Sequence, residues 1–97
     1  MEEREILANR IFDFMAPKFK ADTYINLICE KKGATMEGIL RIMKKQLWKR
    51  DIEALRKMEQ KQEAYYFHFR RCFVELSCMG DEEILIAFRK EQQQQMN

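Results

Sequence analysis

The chain has 97 residues, of which 18 are Lys or Arg and 16 are Asp or Glu, and it contains only three Gly and one Pro. This length predicts a single domain. So few turn-forming residues argue against a sandwich, a barrel or another many-stranded fold. We therefore predict an all-α fold, a small bundle of four or five helices. The net charge of +2 is unevenly distributed, because 12 basic and only 6 acidic residues fall within 17–61.

The cysteines and the N-terminal segment bear on the cellular compartment. Cys29, Cys72 and Cys78 are an odd number without the spacing of a disulfide framework. The first residues are too acidic for a signal or transit peptide, and no apolar run approaches the length of a membrane span. The sequence therefore predicts a reduced, cytoplasmic protein with no membrane partner.

The first predicted helix spans residues 2–15. Leu7, Ile11 and Met15 gather on one side of a helical wheel, and charged residues fall on the other side. We expect Pro17 to end this helix, because the residue before a proline is disfavoured in the α region.

A second helix, over residues 23–32, is expected to begin after Asp22 as its N-cap and to end at Gly33 in the left-handed conformation. Thr35 is the predicted N-cap of the helix that follows. Residues 25–44 thus resemble a helix-turn-helix in layout, because a glycine turn lets two short helices cross. In such a pair the second helix can enter the major groove of DNA.

One long helix is predicted over residues 52–79, because no Gly or Pro interrupts this part of the chain. The stretch 59–63 is polar all round, so the helix would leave the core or bend there. The pattern does not decide whether residues 36–79 form one helix or two.

The C-terminal part of the chain is predicted to contain one more helix. Gly80 ends the long helix, and apolar residues recur at helical spacing over 82–93. We assign residues 1–91 to a single helical domain and residues 92–97 to a disordered, Gln-rich tail.

The sequence contains few side chains in an arrangement that could support catalysis or bind a metal. His68, the only histidine, lies one helical turn before Cys72, and these two side chains would be only two of the ligands that a metal needs. A Cys–His nucleophile would also lack a third, orienting group. We therefore expect no enzymatic activity, no cofactor and no metal site.

The most informative segment is 41–50, which holds five basic residues and no acidic one. A helix here would cover a core with one face and present positive charge and a tryptophan on the other. Such a face suits nucleic acid, since Lys and Arg neutralise phosphates and an aromatic ring adds stacking. An acidic or nucleoprotein partner, or a merely solvated face, would explain the same pattern. The candidate nucleic-acid-binding residues are Arg41, Lys44, Lys45, Trp48 and Lys49.

A second candidate surface lies on the long helix, where aromatic residues are concentrated. Most of these rings are expected in the core, but two apolar stripes on one helix exceed what the other helices would cover. The surplus favours docking on a protein partner or a homodimer. The candidate partner-binding residues are Tyr65, Tyr66, Phe67, Phe69 and Phe73.

Two functions follow from these surfaces. The first is a small regulatory protein, such as a transcription regulator, that binds nucleic acid through the basic helix, 35–50. The alternative is a protein-binding regulator or inhibitor, of the type that phages and mobile elements produce, which acts through helix 52–79.

Overall fold

A computed structural model describes the backbone of residues 2–96 and the side chains of residues 2–94. Within this part of the chain all regular structure is helical, which confirms the all-α class. The predicted four or five helices are corrected to six. They are α1 (Glu3–Ala21), α2 (Thr23–Lys32), α3 (Met36–Trp48), α4 (Ile52–Gln60), α5 (Gln62–Ser77) and α6 (Glu82–Met96).

Helix α1 is the centre of the bundle and packs against α2, α3, α4 and α5. Its buried side is the one that the periodicity predicted, with Leu7, Ile11 and Met15 removed from solvent. These side chains form a first core with buried residues of α3 and α4, such as Leu47 and Leu55. Burying each large aliphatic side chain contributes about 1.5–3 kcal/mol.

A second, smaller core holds α6 to the rest of the molecule. Phe88 and Ile84 of α6 are buried there with Val74 of α5, with Cys78 at the C-cap of α5 and with Ile28 of α2. Helix α6 begins after Asp81, whose carboxylate accepts a hydrogen bond from the backbone N–H of Ile84 at 3.4 Å.

A buried polar network joins the two cores. Asp22 caps α2 by accepting hydrogen bonds from the backbone N–H groups of Tyr24 and Ile25, at 3.0 and 3.2 Å. Its second oxygen, Oδ2, accepts hydrogen bonds from the Tyr66 hydroxyl, at 2.9 Å, and from Arg70 Nε. Asp22, Tyr66 and Arg70 are all buried. Arg70 Nη2 also lies 3.4 Å from Glu91 Oε1 of α6. The network therefore connects α2 with α5 and α6.

Helix α1 continues past Pro17 to Ala21, so the predicted end before this proline is wrong. Proline removes one backbone hydrogen bond and crowds the preceding turn, at a cost of about 3 kcal/mol. The last turn nevertheless forms, because it buries Phe19 in the first core. The Phe19 ring also makes an edge-on contact with Tyr66, with the ring centres 5.4 Å apart.

The long helix predicted over 52–79 is two helices, α4 and α5, that meet at Lys61. Lys61 leaves the helical conformation, with φ −128° and ψ 46°. This break lies inside the polar stretch 59–63, where a bend was expected. The stretch contains no apolar side chain that could pack a straight helix against the core. The chain therefore bends there, and α4 and α5 both pack on α1.

The predicted turn between the second and third helices is present. Gly33 adopts the left-handed conformation with φ 69°, and Thr35 Oγ1 accepts a hydrogen bond from the backbone N–H of Gly38 at 3.0 Å. Helices α2 and α3 pack against different neighbours: α3 packs on α1, whereas α2 packs on both α1 and α5.

The helical backbone of α6 runs on to Met96, through most of the segment predicted as a tail over 92–97. Asn97 lies outside the described residues. The division into a domain, 1–91, and a tail stays a prediction.

Removing the Asp22 carboxylate is expected to destabilise the fold strongly. Asp22→Ala should lower the free energy of unfolding by about 3–5 kcal/mol, because it strips the α2 cap and leaves the buried Arg70 charge without its main partner. Asp51→Ala is a matched control, since Asp51 caps α4 with an exposed carboxylate. Its loss should cost only about 1 kcal/mol. Guanidinium denaturation measures both values, and equal losses would contradict this account of Asp22.

A pH series is expected to isolate the contribution of Tyr66. Burial, and then its hydrogen bond to Asp22, raise the pKa of Tyr66 well above the ordinary value of 10.0. A raised folded-state pKa means that the contribution of Tyr66 is complete below pH 10 and is lost as the pH rises above that value.

Tyr66→Phe should therefore lower the free energy of unfolding by about 1–2 kcal/mol at pH 8. The difference between the two proteins should shrink above pH 10, by about 1.4 kcal/mol per pH unit. Denaturation curves between pH 8 and 11 test this, and a constant difference would refute it. Other alkaline titrations cancel, because the two proteins share them.

Candidate functional site

The candidate site is built on α3, which has one buried face and one exposed face. Ile39, Leu40, Met43 and Leu47 are buried against the first core, at the helical spacing that the sequence predicts. The opposite face is therefore turned to solvent. The buried side chains pack α3 against α1. This packing fixes the position of the α3 backbone, and therefore of the exposed face.

The five predicted nucleic-acid-binding residues come together on this exposed face. Their side chains line one shallow depression of the surface. The four basic residues are exposed, and Trp48 is half-buried. We call this surface the basic face. It consists of Arg41, Lys44, Lys45, Trp48 and Lys49.

The charges of the basic face have no acidic neighbour at ion-pair distance among the described side chains. Arginines elsewhere do pair, since Arg56 Nη2 lies 2.8 Å from Glu3 and Arg89 Nη2 lies 2.8 Å from Glu75. Lys44 instead places its Nζ 5.4 Å from the centre of the Phe12 ring. The basic face is thus a region of uncompensated positive charge.

Trp48 is the last residue of α3, and two contacts hold it in position. Its side chain packs against the first core, and its carbonyl oxygen accepts a hydrogen bond from Arg4 Nη1 at 2.7 Å. Helix α3 ends at this residue, so Lys49 occupies the C-cap position. These two contacts fix the position of the indole beside the charged side chains.

The predicted partner-binding residues do not form one surface. Tyr66 is buried and bonded to Asp22, so it is withdrawn from that set, because a partner cannot reach it. Tyr65, Phe69 and Phe73 are half-buried and pack against the first core. Phe67 is 42% exposed and lies on another side of α5.

An apolar groove that was not predicted runs between α2, α3 and α5. Ile28, Ile39, Ile42 and Phe73 line it, and its volume, open to solvent on one side, is about 530 Å³. Ile42 is 61% exposed although isoleucine is most often buried. The only sign of this in the sequence is the position of Ile42 on the wheel, at the margin between the buried face and the basic face.

The sulfur and imidazole groups lie on α2, on α5 and at the C-cap of α5, and one pair of them is close together. The three cysteines are free thiols, and burial raises the pKa of Cys29 and Cys78. On α5, Cys72 Sγ lies 3.8 Å from His68 Nε2. Among the described side chains, no three His, Cys, Asp or Glu residues lie close enough together to hold a metal ion. Within residues 2–96, no helix has the length and apolar character needed to cross a membrane.

No model of a protein family, no curated protein and no solved structure matches this chain. The main elements of the site are an uncompensated basic face, a half-buried tryptophan within that face and an apolar groove beside it.

Proposed function

We propose that this protein is a small non-catalytic regulator that binds nucleic acid through the basic face of α3. The observation that carries the proposal is the absence of acidic partners for Arg41, Lys44, Lys45 and Lys49 among the described side chains. A merely solvated helix usually alternates charges of both signs, which support one another at a spacing of three or four residues.

A polyanion is the ligand that such a surface attracts most strongly. Each phosphate that a Lys or Arg neutralises releases a condensed counterion, so several basic residues on one rigid helix add their contributions. The half-buried indole of Trp48 offers an apolar contact for a sugar or a base on the same surface.

Helix α3 is proposed to track the phosphate backbone more than to read bases. Recognition helices of helix-turn-helix proteins contact base edges through their N-terminal residues. Here that end carries the exposed acidic residue Glu37, which repels phosphates, whereas the basic residues follow from Arg41 onward. Contacts with phosphates position a protein on a duplex without giving sequence preference.

An intracellular location is part of the same proposal. The support is the presence of three free thiols, which persist in reducing compartments. Nucleic acid is abundant in the same compartments.

Removing two charges from the basic face tests the proposed function. Arg41→Ala combined with Lys45→Ala should weaken binding to a random DNA duplex. It should also lower the slope of log affinity against log salt concentration by about 2, because two phosphate contacts are lost. Fluorescence of Trp48, the only tryptophan in the chain, reports binding without a label.

The matched control removes one Arg and one Lys from other exposed positions. Arg71→Ala combined with Lys90→Ala changes the net charge equally but leaves the basic face intact. This variant should keep the salt slope of the original protein. Equal losses in both variants, or no binding of duplex or single-stranded DNA by the original protein, would reject the proposal.

A second candidate function is binding of a protein partner in the apolar groove. The exposed side chain of Ile42 and the half-buried ring of Phe73 favour it, because exposed apolar patches beside polar residues mark interaction sites. Phe73 is also one of the predicted partner-binding residues. Lys32 at the groove and the neighbouring basic face favour an acidic or nucleoprotein partner.

A photo-crosslinking side chain at position 42 tests this second candidate in the cells that produce the protein. Position 86 is the control, because Ile86 is also apolar and 49% exposed but lies on α6. A groove partner would give one adduct of defined mass from position 42 alone. The same adducts from both positions, or none from either, would count against the groove.

A further inference from the structure

His68 and Cys72 form an exposed pair on the outer side of α5. They are one helical turn apart, and their Nε2 and Sγ atoms are 3.8 Å from each other. In a tetrahedral zinc site, Zn–S and Zn–N bonds of usual length place these two ligand atoms about 3.5 Å apart. The pair thus has nearly the separation that one zinc ion requires, and a small change in rotamer would complete it.

The chain by itself supplies only half of a zinc site. Glu75, one turn from Cys72, already holds Arg89 with both carboxylate oxygens, at 3.3 and 2.8 Å. The part of the chain that the structure describes brings no third ligand to the pair. Structural zinc sites have four protein ligands, and two cysteines with two histidines are a common set.

We propose that α5 binds a zinc ion between two copies of this chain, each of which supplies His68 Nε2 and Cys72 Sγ. A two-fold axis through the ion makes the two half-sites equivalent, as in most homodimers. One chain lacks the ligands for a complete site, and a second copy supplies the two that are missing. The ion keeps its oxidation state, and each thiol releases its proton to solvent when it binds.

Exposed apolar side chains on the same side of α5 and just beyond its end support a second copy as the occupant. Leu76 follows Cys72 by one turn and is 71% exposed, and Met79 is 74% exposed. In an antiparallel pairing of two α5 helices about the zinc, Leu76 comes level with residues 64–65 of the other copy. The half-buried ring of Tyr65 is exposed enough there to pack against it.

The molar mass of the reduced protein in solution tests the proposal. With a phosphine reductant present, zinc chloride should double the mass measured by light scattering, at one zinc per two chains, and EDTA should reverse the change. Cobalt(II) in place of zinc should give the visible absorption of a tetrahedral site and a sulfur-to-metal charge-transfer band. These bands report the two kinds of ligand directly.

Substitutions assign the effect to the pair. His68→Asn and Cys72→Ser should each abolish the doubling of mass, and both should keep the helical circular dichroism because the two positions are exposed. Cys29→Ser is the matched control, since it removes a thiol from α2 that has no histidine beside it in the structure. It should dimerise with zinc as the original protein does.

Three results would overturn the proposal. They are one zinc per chain without a change in mass, dimerisation that survives the loss of His68 or Cys72, and the absence of cobalt bands. The double variant of the basic face, Arg41→Ala with Lys45→Ala, should still dimerise with zinc. The zinc site and the proposed nucleic-acid binding can therefore fail independently.

Discussion

The carboxylate of Asp22 is the interaction on which the arrangement of this bundle depends. It lies between α1 and α2, caps α2, and accepts hydrogen bonds from Tyr66 and Arg70 of α5. Arg70 is in turn enclosed by the rings of Tyr24 and Phe88, at 5.5 and 5.0 Å from their centres. Each buried polar group has a partner here, and such a network selects one packing of the helices over others.

Local chemistry made several features predictable. Asp22 and Thr35 cap helices as their side chains suggest, because each accepts a hydrogen bond within three residues of itself. Gly33 ends α2 in the left-handed conformation that glycine adopts without strain. The basic face was also predictable, since a period of 3.6 residues alone decides which α3 side chains share a side.

The features that the sequence did not predict depend on contacts between residues far apart in the chain. Helix α1 continues past Pro17 because the burial of Phe19 outweighs the tendency of a proline to end a helix. Arg70 and Tyr66 are in the core because their partner, Asp22, lies 48 and 44 residues away. Periodicity cannot identify a buried arginine, since the pattern counts it as polar. The groove beside Ile42 likewise depends on how three helices meet, which no single stretch of sequence records.

The uncompensated charge of α3 links the surface of this protein to its folding. Arg41, Lys45 and Lys49 follow one another at intervals of four residues, a spacing at which like charges on a helix repel each other. The folded chain therefore holds a repulsion that the unfolded chain escapes by expanding. A polyanion that binds only the folded form removes this repulsion and adds its own binding free energy. Binding of a polyanion at the proposed site would thus also raise the free energy of unfolding of the whole chain.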